Sequence, residues 1–362
     1  MTGNSPTRVL VWQWGRFGGA PRFATQLAEG FSELPGIEVS LSLSSGAEIL
    51  REDSPPRCDL LVDTYGTIAG FIVRAATAPF SLRGLIRRIR ALRPDIAVCA
   101  LPGPLDLLMA VALWWLRVPF FVLVHDADAH PGDGFPLQMK LQRVLCRRAN
   151  AVAVLTAYVG DRLLSQKLAG TPGRPLVRLR HPPMRYTFPP PREREQGVFR
   201  LLSFGRLLPY KGLDLLADSL KLLGAHPGLV VRVVGSGPES QELSILRDLP
   251  GVTVENRWVP ETEVGAVFGW ADAVVLSYRE ASQSGVAACA LAAHRHVVAT
   301  NVGGLAEQLG DEPLAILCEP TASSLANGIR LVIGEPRHAP AVRAADGWRE
   351  IGRSLLEARA RR

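Results

Sequence analysis

Two cations five residues apart carry the first chemical signal in this chain of 362 residues. Arg206 and Lys211 stand in Phe204-Gly205-Arg206-Leu207-Leu208-Pro209-Tyr210-Lys211-Gly212, where an apolar run ends in a glycine turn and a helical pattern opens at Leu213. A departing diphosphate needs its growing negative charge neutralised, and Arg supplies a planar fork where Lys supplies a compact charge. An ordinary solvated strand-to-helix loop could read the same way, and this segment alone does not choose. Downstream, an apolar run over 273–276 enters the small polar loop Ser277-Tyr278-Arg279-Glu280-Ala281-Ser282-Gln283-Ser284-Gly285. Free N–H groups at a helix opening near Ser284, with Ser282 and Ser284 beside them, suit an anion without a metal. The same serines also suit a plain N-cap. Glu280 is different: a carboxylate just before an anion site is badly placed for phosphate and well placed for sugar hydroxyls.

A third group is His125-Asp126-Ala127-Asp128-Ala129-His130, which follows the apolar run 120–124. His125 and Asp126 could order an acceptor hydroxyl or take its proton. Metal binding is the rival reading, since both types are ligands, and a structural turn is another. Metal ranks lower because the cationic pair already offers charge neutralisation. Trp258, at the end of a strand pattern, reads as a core or surface tryptophan. Gly235-Ser236-Gly237-Pro238 reads as a tight connection rather than a phosphate loop.

These residues need elements to hold them. Short, continuously apolar runs at 8–13, 37–41, 59–62, 96–100, 120–125 and 151–155 predict strands covered on both faces, hence a parallel sheet. Helical patterns lie between several of them, and residues 21–34 place Phe23, Leu27 and Phe31 on one side. The alternation restarts with strands at 199–204, 230–234, 252–254, 273–276 and 297–299. The proline-rich stretch between cannot continue a helix or a central strand. We therefore expect an N-terminal α/β domain over 1–182, a linker over 183–197, a second α/β domain over 198–338 and a C-terminal helix over 339–362, free to pack back on the first domain. Both domains read as doubly wound, and ligands of open α/β sheets sit at the carboxyl ends of strands. The expected arrangement is two domains facing across a cleft.

Arg206 and Lys211, the Glu280 loop, and Ala299-Thr300-Asn301-Val302-Gly303-Gly304-Leu305-Ala306-Glu307 occur in that order over residues 199–335, and together resemble the retaining glycosyltransferase family 4. The resemblance implies the GT-B fold, with two Rossmann-like domains, and transfer of sugar from a nucleoside-diphosphate donor. It implies that Arg206 and Lys211 hold the diphosphate, that Glu280 contacts the sugar, and that Ser282, Gln283, Ser284 and Gly285 meet the phosphates. Gly303-Gly304 looks like the family's glycine turn, Trp258 stands where the family packs its base, and Gly18 and Gly19 look like its N-terminal glycine loop. G-x-G-x-x-G is absent there, which disfavours a nicotinamide enzyme. The family usually carries a second glutamate, for the ribose, eight residues after the first; here that position is Ala288. The Ser-Gln-Ser-Gly-Val wording is similar to a subgroup from bacterial exopolysaccharide and lipid-linked oligosaccharide assembly. A non-catalytic nucleotide-sugar-binding protein, an inverting transferase and an epimerase on the same fold stay open.

Composition sets the remaining bounds. With 47% hydrophobic and 21% charged residues the chain reads as globular, and five scattered cysteines argue against disulfides and a structural metal. No cofactor is expected beyond the nucleotide sugar as co-substrate. No signal-peptide layout opens the chain, and uncharged runs are too short to span a bilayer, so a cytoplasmic location is expected. The net charge of +7 favours an anionic partner, but no nucleic-acid module or aromatic-basic interleaving accompanies it, so nucleic acid is not expected. On a helix from Ser81, Leu82, Leu85, Ile86, Ile89 and Leu92 share one face, with Arg83, Arg87 and Arg90 opposite. Such a helix, together with His130, is a candidate for a lipid-linked or saccharide acceptor, or for a membrane's inner face; an ordinary helix docked on a core has the same pattern.

Overall fold

The computed structural model describes residues 5–132, 136–189, 197–334 and 347–360. They form two compact units. In the first, chain order is β1 (Thr7–Gln13), α1 (Gly19–Ser32), β2 (Ile37–Ser44), β3 (Leu60–Val62), α2 (Ile68–Leu92), β4 (Ile96–Ala100), α3 (Asp106–Trp115), β5 (Phe120–Val124), α4 (Pro136–Arg148), β6 (Ala151–Val154), α5 (Ala157–Ser165) and β7 (Leu176–Arg178). The strands make one parallel sheet in the order β3-β2-β1-β4-β5-β6-β7. Strands β4, β5 and β6 are buried along their whole length. That is why they read as unbroken apolar runs: helices cover both faces and leave no side for polar residues.

The second unit holds β8 (Phe199–Phe204), α6 (Leu213–Leu223), β9 (Leu229–Gly235), α7 (Gln241–Asp248), β10 (Val252–Asn256), α8 (Glu261–Trp270), β11 (Ala273–Leu276), α9 (Gly285–Ala292), β12 (His296–Thr300), α10 (Leu305–Leu309), β13 (Ala315–Cys318) and α11 (Ala322–Gly334). Its parallel sheet runs β10-β9-β8-β11-β12-β13. Both sheets are doubly wound, as expected from the sequence. The last helix, α12 (Gly347–Ala360), belongs to the first unit, where it packs on α1. Trp348 is fully buried with its ring edge-on to Phe23 at 4.9 Å. Gly30 makes that approach possible, since a Cβ there would lie 2.5 Å from the backbone of Trp348.

Three differences from the sequence reading have local causes. The helix expected from Ser81 starts thirteen residues earlier, at Ile68, and runs through Pro79. Its Leu85 and Ile89 are buried in the first unit's core, with Leu82, Ile86 and Leu92 packed against it. The apolar face of 81–92 is therefore spent on the core, and a bilayer cannot also use it. Second, residues 183–189 of the expected linker lie on the second unit. Met184 N–H donates to Ala288 O, Tyr186 Oη bonds Glu261, and Gly265 leaves room for the Thr187 carbonyl, which a Cβ would meet at 2.0 Å. The rest of that linker, 190–196, and the junction 335–346 lie outside the described residues. Third, His130 belongs to the second unit, apart from His125 and Asp126. The chain turns after it at Pro131-Gly132, where Gly132 adopts φ 77 next to Leu208 and Pro209.

Candidate functional site

In the second sheet β8, β11 and β12 are neighbours, and the order reverses direction between β8 and β11. Loops leaving the carboxyl ends of such strands converge on one place. Those three loops are the Arg206–Lys211, Glu280 and Gly303 segments, so the topology gathers motifs that lie about a hundred residues apart in sequence.

Glycines set the spacing between the loops. Gly212, at φ 65, ends the first loop against the carbonyl of Ser277, 1.9 Å from where a Cβ would be. Gly303, at φ 52, stands in the same relation to the carbonyl of Ala281, and Gly304 N–H donates to that carbonyl at 2.9 Å. Ser277 Oγ donates to Lys211 O (2.9 Å) and Arg279 N–H to Tyr210 O (2.8 Å), which joins the first two loops directly. Gly235 and Gly237 serve the tight packing of the β8 and β9 loops, since a Cβ on either would strike the backbone of Gly205 or Leu207.

Two tyrosines hold the cations. Arg206 Nη2 donates to Tyr210 Oη at 3.1 Å, and Lys211 Nζ lies 3.8 Å from the ring centroid of Tyr278 and 4.9 Å from that of Tyr210. An ammonium so close to an aromatic face is held by the ring quadrupole. Tyr278 is buried, and desolvation pushes its phenol up to about 12, so at neutral pH it keeps its proton and stands 3.3 Å from Ser284 Oγ. His130 stacks on Tyr210 with centroids 4.7 Å apart and planes 15° apart. Its Nδ1 lies 3.8 Å from Glu280 Oε1, and its Nε2 lies 3.5 Å from Ser282 Oγ. Arg206, Lys211, His130, Glu280, Ser282 and Ser284 are thus one cluster, knit by Tyr210 and Tyr278. The sequence reading missed both tyrosines, although Tyr210 adjoins Lys211 and Tyr278 lies two residues before Glu280.

The start of α9 is fixed from two sides. Ser284 caps it by accepting from Ala287 N–H (3.2 Å), and the Gln308 amide clamps the Ser284 backbone, accepting from its N–H at 2.8 Å and donating to its carbonyl at 2.9 Å. A Cβ on Gly285 would meet nothing within 4 Å, so the helix opens there into free space. Gln283 is 5% exposed, yet among the described residues neither end of its amide has a hydrogen-bond partner. Leaving a buried amide unmatched costs about 1–3 kcal/mol, and buried polar groups without partners in native proteins need an explanation. Trp258 is not a core residue: its side chain is exposed after β10. Ala288, where the second glutamate would stand, is buried.

In the first unit the order reverses between β1 and β4, and a pocket of about 220 Å³ lies there, lined by the loops after β1, β3 and β4. Arg16, Phe17, Thr64 and Tyr65 supply its chemistry. Gly46 and Gly66 make room for the Arg16 guanidinium; a Cβ on Gly66 would stand 2.3 Å from Nη1. Gly18, at φ 76, precedes α1, and a Cβ on Gly19 would meet nothing within 4 Å. Beside the pocket, Asp106 is wholly buried, accepting from Gly103 N–H at 2.7 Å, and burial raises its carboxyl to about 6. His125 and Asp126 follow β5. His125 Nδ1 lies 2.8 Å from Asp126 Oδ2, off the line of a hydrogen bond, and Asp126 O accepts from the Gln142 amide. Asp128 pairs with Arg162 and Gln166, a structural use. Arg83, Arg87 and Arg90 are exposed on α2. Among the described residues no group of three or more His, Cys, Asp or Glu could hold a metal ion.

Comparison with known proteins adds the family. Residues 17–174 match Glycosyltransferase Family 4, and residues 198–335 match Glycosyl transferases group 1. The glycogen synthase of Mycobacterium tuberculosis (strain ATCC 25618 / H37Rv) is 28% identical over 233 residues, 61% of this chain and 56% of that protein. The chain thus spans a little over half the length of the curated relatives it matches. Among solved structures, a glycosyltransferase from Rickettsia africae ESF-5 superposes with a TM-score of 0.64 at 16% identity, covering 98% of this chain and 94% of that one. Anabaena HepE, solved with UDP and glucose, superposes with a TM-score of 0.66 at 15% identity, covering 98% of each chain. At such identities the likeness is one of fold.

Proposed function

The chain belongs to the glycosyltransferases of the GT-B fold, and we propose that it moves a sugar from a nucleoside-diphosphate donor to a lipid-linked or polysaccharide-precursor acceptor. The observation that carries this reading is the cluster in the second unit: Lys211 held over two tyrosine rings, Arg206 hydrogen-bonded to a tyrosine hydroxyl, a half-exposed carboxylate, and the open start of α9 beside the unmatched amide of Gln283. Arg206 and Lys211 neutralise the diphosphate as its bond to the sugar breaks, and the N–H groups at Gly285 add a fixed partial positive charge. This places charge neutralisation on side chains and backbone, the basis for a metal-independent transfer. Glu280 accepts from sugar hydroxyls, and His130, stacked on Tyr210, lines its other side. Retention of configuration rests on the resemblance of the ordered motifs. HepE, whose structure holds UDP and glucose, supports a uridine nucleotide as the first donor to try.

In the first unit, the Arg16 pocket suits the charged head of an acceptor, and His125 with Asp126 would order or deprotonate its hydroxyl. Work at the inner face of a membrane fits such an acceptor. The test is a panel of UDP-, GDP- and other nucleotide sugars scored by thermal stabilisation, followed by turnover with the donor that stabilises. One donor should raise the melting temperature and be transferred with retained configuration; Lys211→Ala should slow that transfer by roughly a hundredfold or more. Unchanged turnover in the variant would remove Lys211 from the chemistry. An inverted product or sugar epimerisation without transfer would sink the retaining reading.

A further inference from the structure

Helix α2 has two unlike halves. Its C-terminal half is anchored in the core by Leu85 and Ile89, while residues 68–80 stand out from the first unit. This outer half, Ile68-Ala69-Gly70-Phe71-Ile72-Val73-Arg74-Ala75-Ala76-Thr77-Ala78-Pro79-Phe80, has one charge in thirteen residues. Ile72 is 61% exposed and Phe80 is 85% exposed. Helix α3, packed beside α2, ends in Trp114 and Trp115, which are also largely exposed. Soluble surfaces scatter single apolar residues, whereas Ile68, Ile72, Val73 and Phe80 all stand exposed within thirteen residues of one helix.

The charge around this patch bears on what would cover it. Residues 64–94 contain six arginines and no acid, and one of the six, Arg74, lies 3.5 Å from the flanking Asp63. A second copy of the chain would bring two such arginine sets together across a symmetric interface, where like charges repel. An anionic bilayer attracts them while taking up the apolar side chains, and tryptophan favours the boundary between headgroups and hydrocarbon. No helix among the described residues is long and apolar enough to cross a membrane, so the fitting geometry is a helix lying in the interface. We propose that residues 68–80 of α2, with Trp114 and Trp115, insert into the headgroup layer of an anionic lipid bilayer, while Arg83, Arg87 and Arg90 contact its phosphates. This extends the reading of a lipid-linked acceptor, and its test uses neither donor nor acceptor, so either reading can fail alone.

The full chain is floated with vesicles of phosphatidylglycerol and phosphatidylethanolamine, and in parallel with vesicles of phosphatidylcholine. The expected result is flotation with the anionic vesicles only, weakened by salt, with a blue shift of tryptophan emission. The double variant Ile72→Glu/Phe80→Glu should lose at least roughly tenfold in partitioning, with an unchanged circular dichroism spectrum because both side chains already face solvent. Arg83→Gln/Arg87→Gln/Arg90→Gln should lower binding to anionic vesicles while keeping the fold. Wild-type protein that stays unbound, with no emission shift, overturns the proposal, as does a glutamate variant that binds like wild type. A dimer in sedimentation that the glutamate variant dissolves, without vesicle binding, would assign the patch to self-association instead.

Discussion

Replacing Gln283 by leucine should make the empty protein more stable and the liganded one less so. The side chain is almost fully buried beside the start of α9, and among the described residues neither amide atom is matched. A buried amide without partners costs about 1–3 kcal/mol, and leucine removes both polar atoms at nearly constant volume. Allowing for some misfit of the branched side chain, Gln283→Leu should gain about 1 kcal/mol in the absence of ligand, which is roughly 2–4 °C in melting temperature for a unit of this size. If the amide's partner is the donor, the variant forfeits a hydrogen bond to a charged group, about 1.5–3 kcal/mol, so the nucleotide's Kd should rise about 10- to 150-fold. Calorimetric unfolding of the empty protein and titration calorimetry with the stabilising nucleotide read the two effects separately. A variant that melts lower and binds as well as wild type would refute the reasoning and make Gln283 a packing residue.

Other perturbations test the framework. Burial raises the Asp106 carboxyl to about 6 against an ordinary 3.8, so the folded state holds the proton more tightly. Its contribution is full below about pH 3.8 and is lost as pH rises through 6, an effect of about 3 kcal/mol; urea unfolding of wild type and Asp106→Asn should show their difference moving in the variant's favour by that order between pH 4 and 7, and a pH-independent difference contradicts it. Gly303→Ala should cost more than about 2 kcal/mol, since it adds left-handed strain to a Cβ that meets the Ala281 carbonyl at 1.9 Å; a loss within about 0.5 kcal/mol in urea unfolding would show that the loop yields easily. Trp348→Ala empties the contact between α12 and α1 and should cost about 3–5 kcal/mol, measured the same way; a loss below about 1 kcal/mol would mean that α12 adds little to the first unit.

Much of the fold was legible because its strands are buried on both faces. Runs such as Ile96–Ala100 and Ala273–Leu276 appear as unbroken apolar stretches and occur where the pattern put them. The two strands not foreseen, β7 and β13, are short and only partly buried, so their composition says little. Pro79 hid the first half of α2, because a proline ordinarily marks a helix boundary and here the helix continues through it. In the candidate site, Arg206, Lys211 and Glu280 stood out in the sequence by charge and order. Tyr210 and Tyr278 were not, because holding a cation by its ring is visible only once Lys211 is seen above them. His130 was grouped with its sequence neighbours, whereas the turn at Gly132 carries it to Tyr210 and Glu280. Gln283 gave no sign of its burial, since glutamine in a polar loop is ordinarily exposed.

The most direct trial of the proposed donor site is a crystal structure of the chain grown with the nucleoside diphosphate that stabilises it. The diphosphate should lie between Arg206, Lys211 and the first turn of α9, with Glu280 left facing the space for the sugar. A diphosphate bound at any other place, with these side chains arranged as in the unliganded protein, would contradict the account.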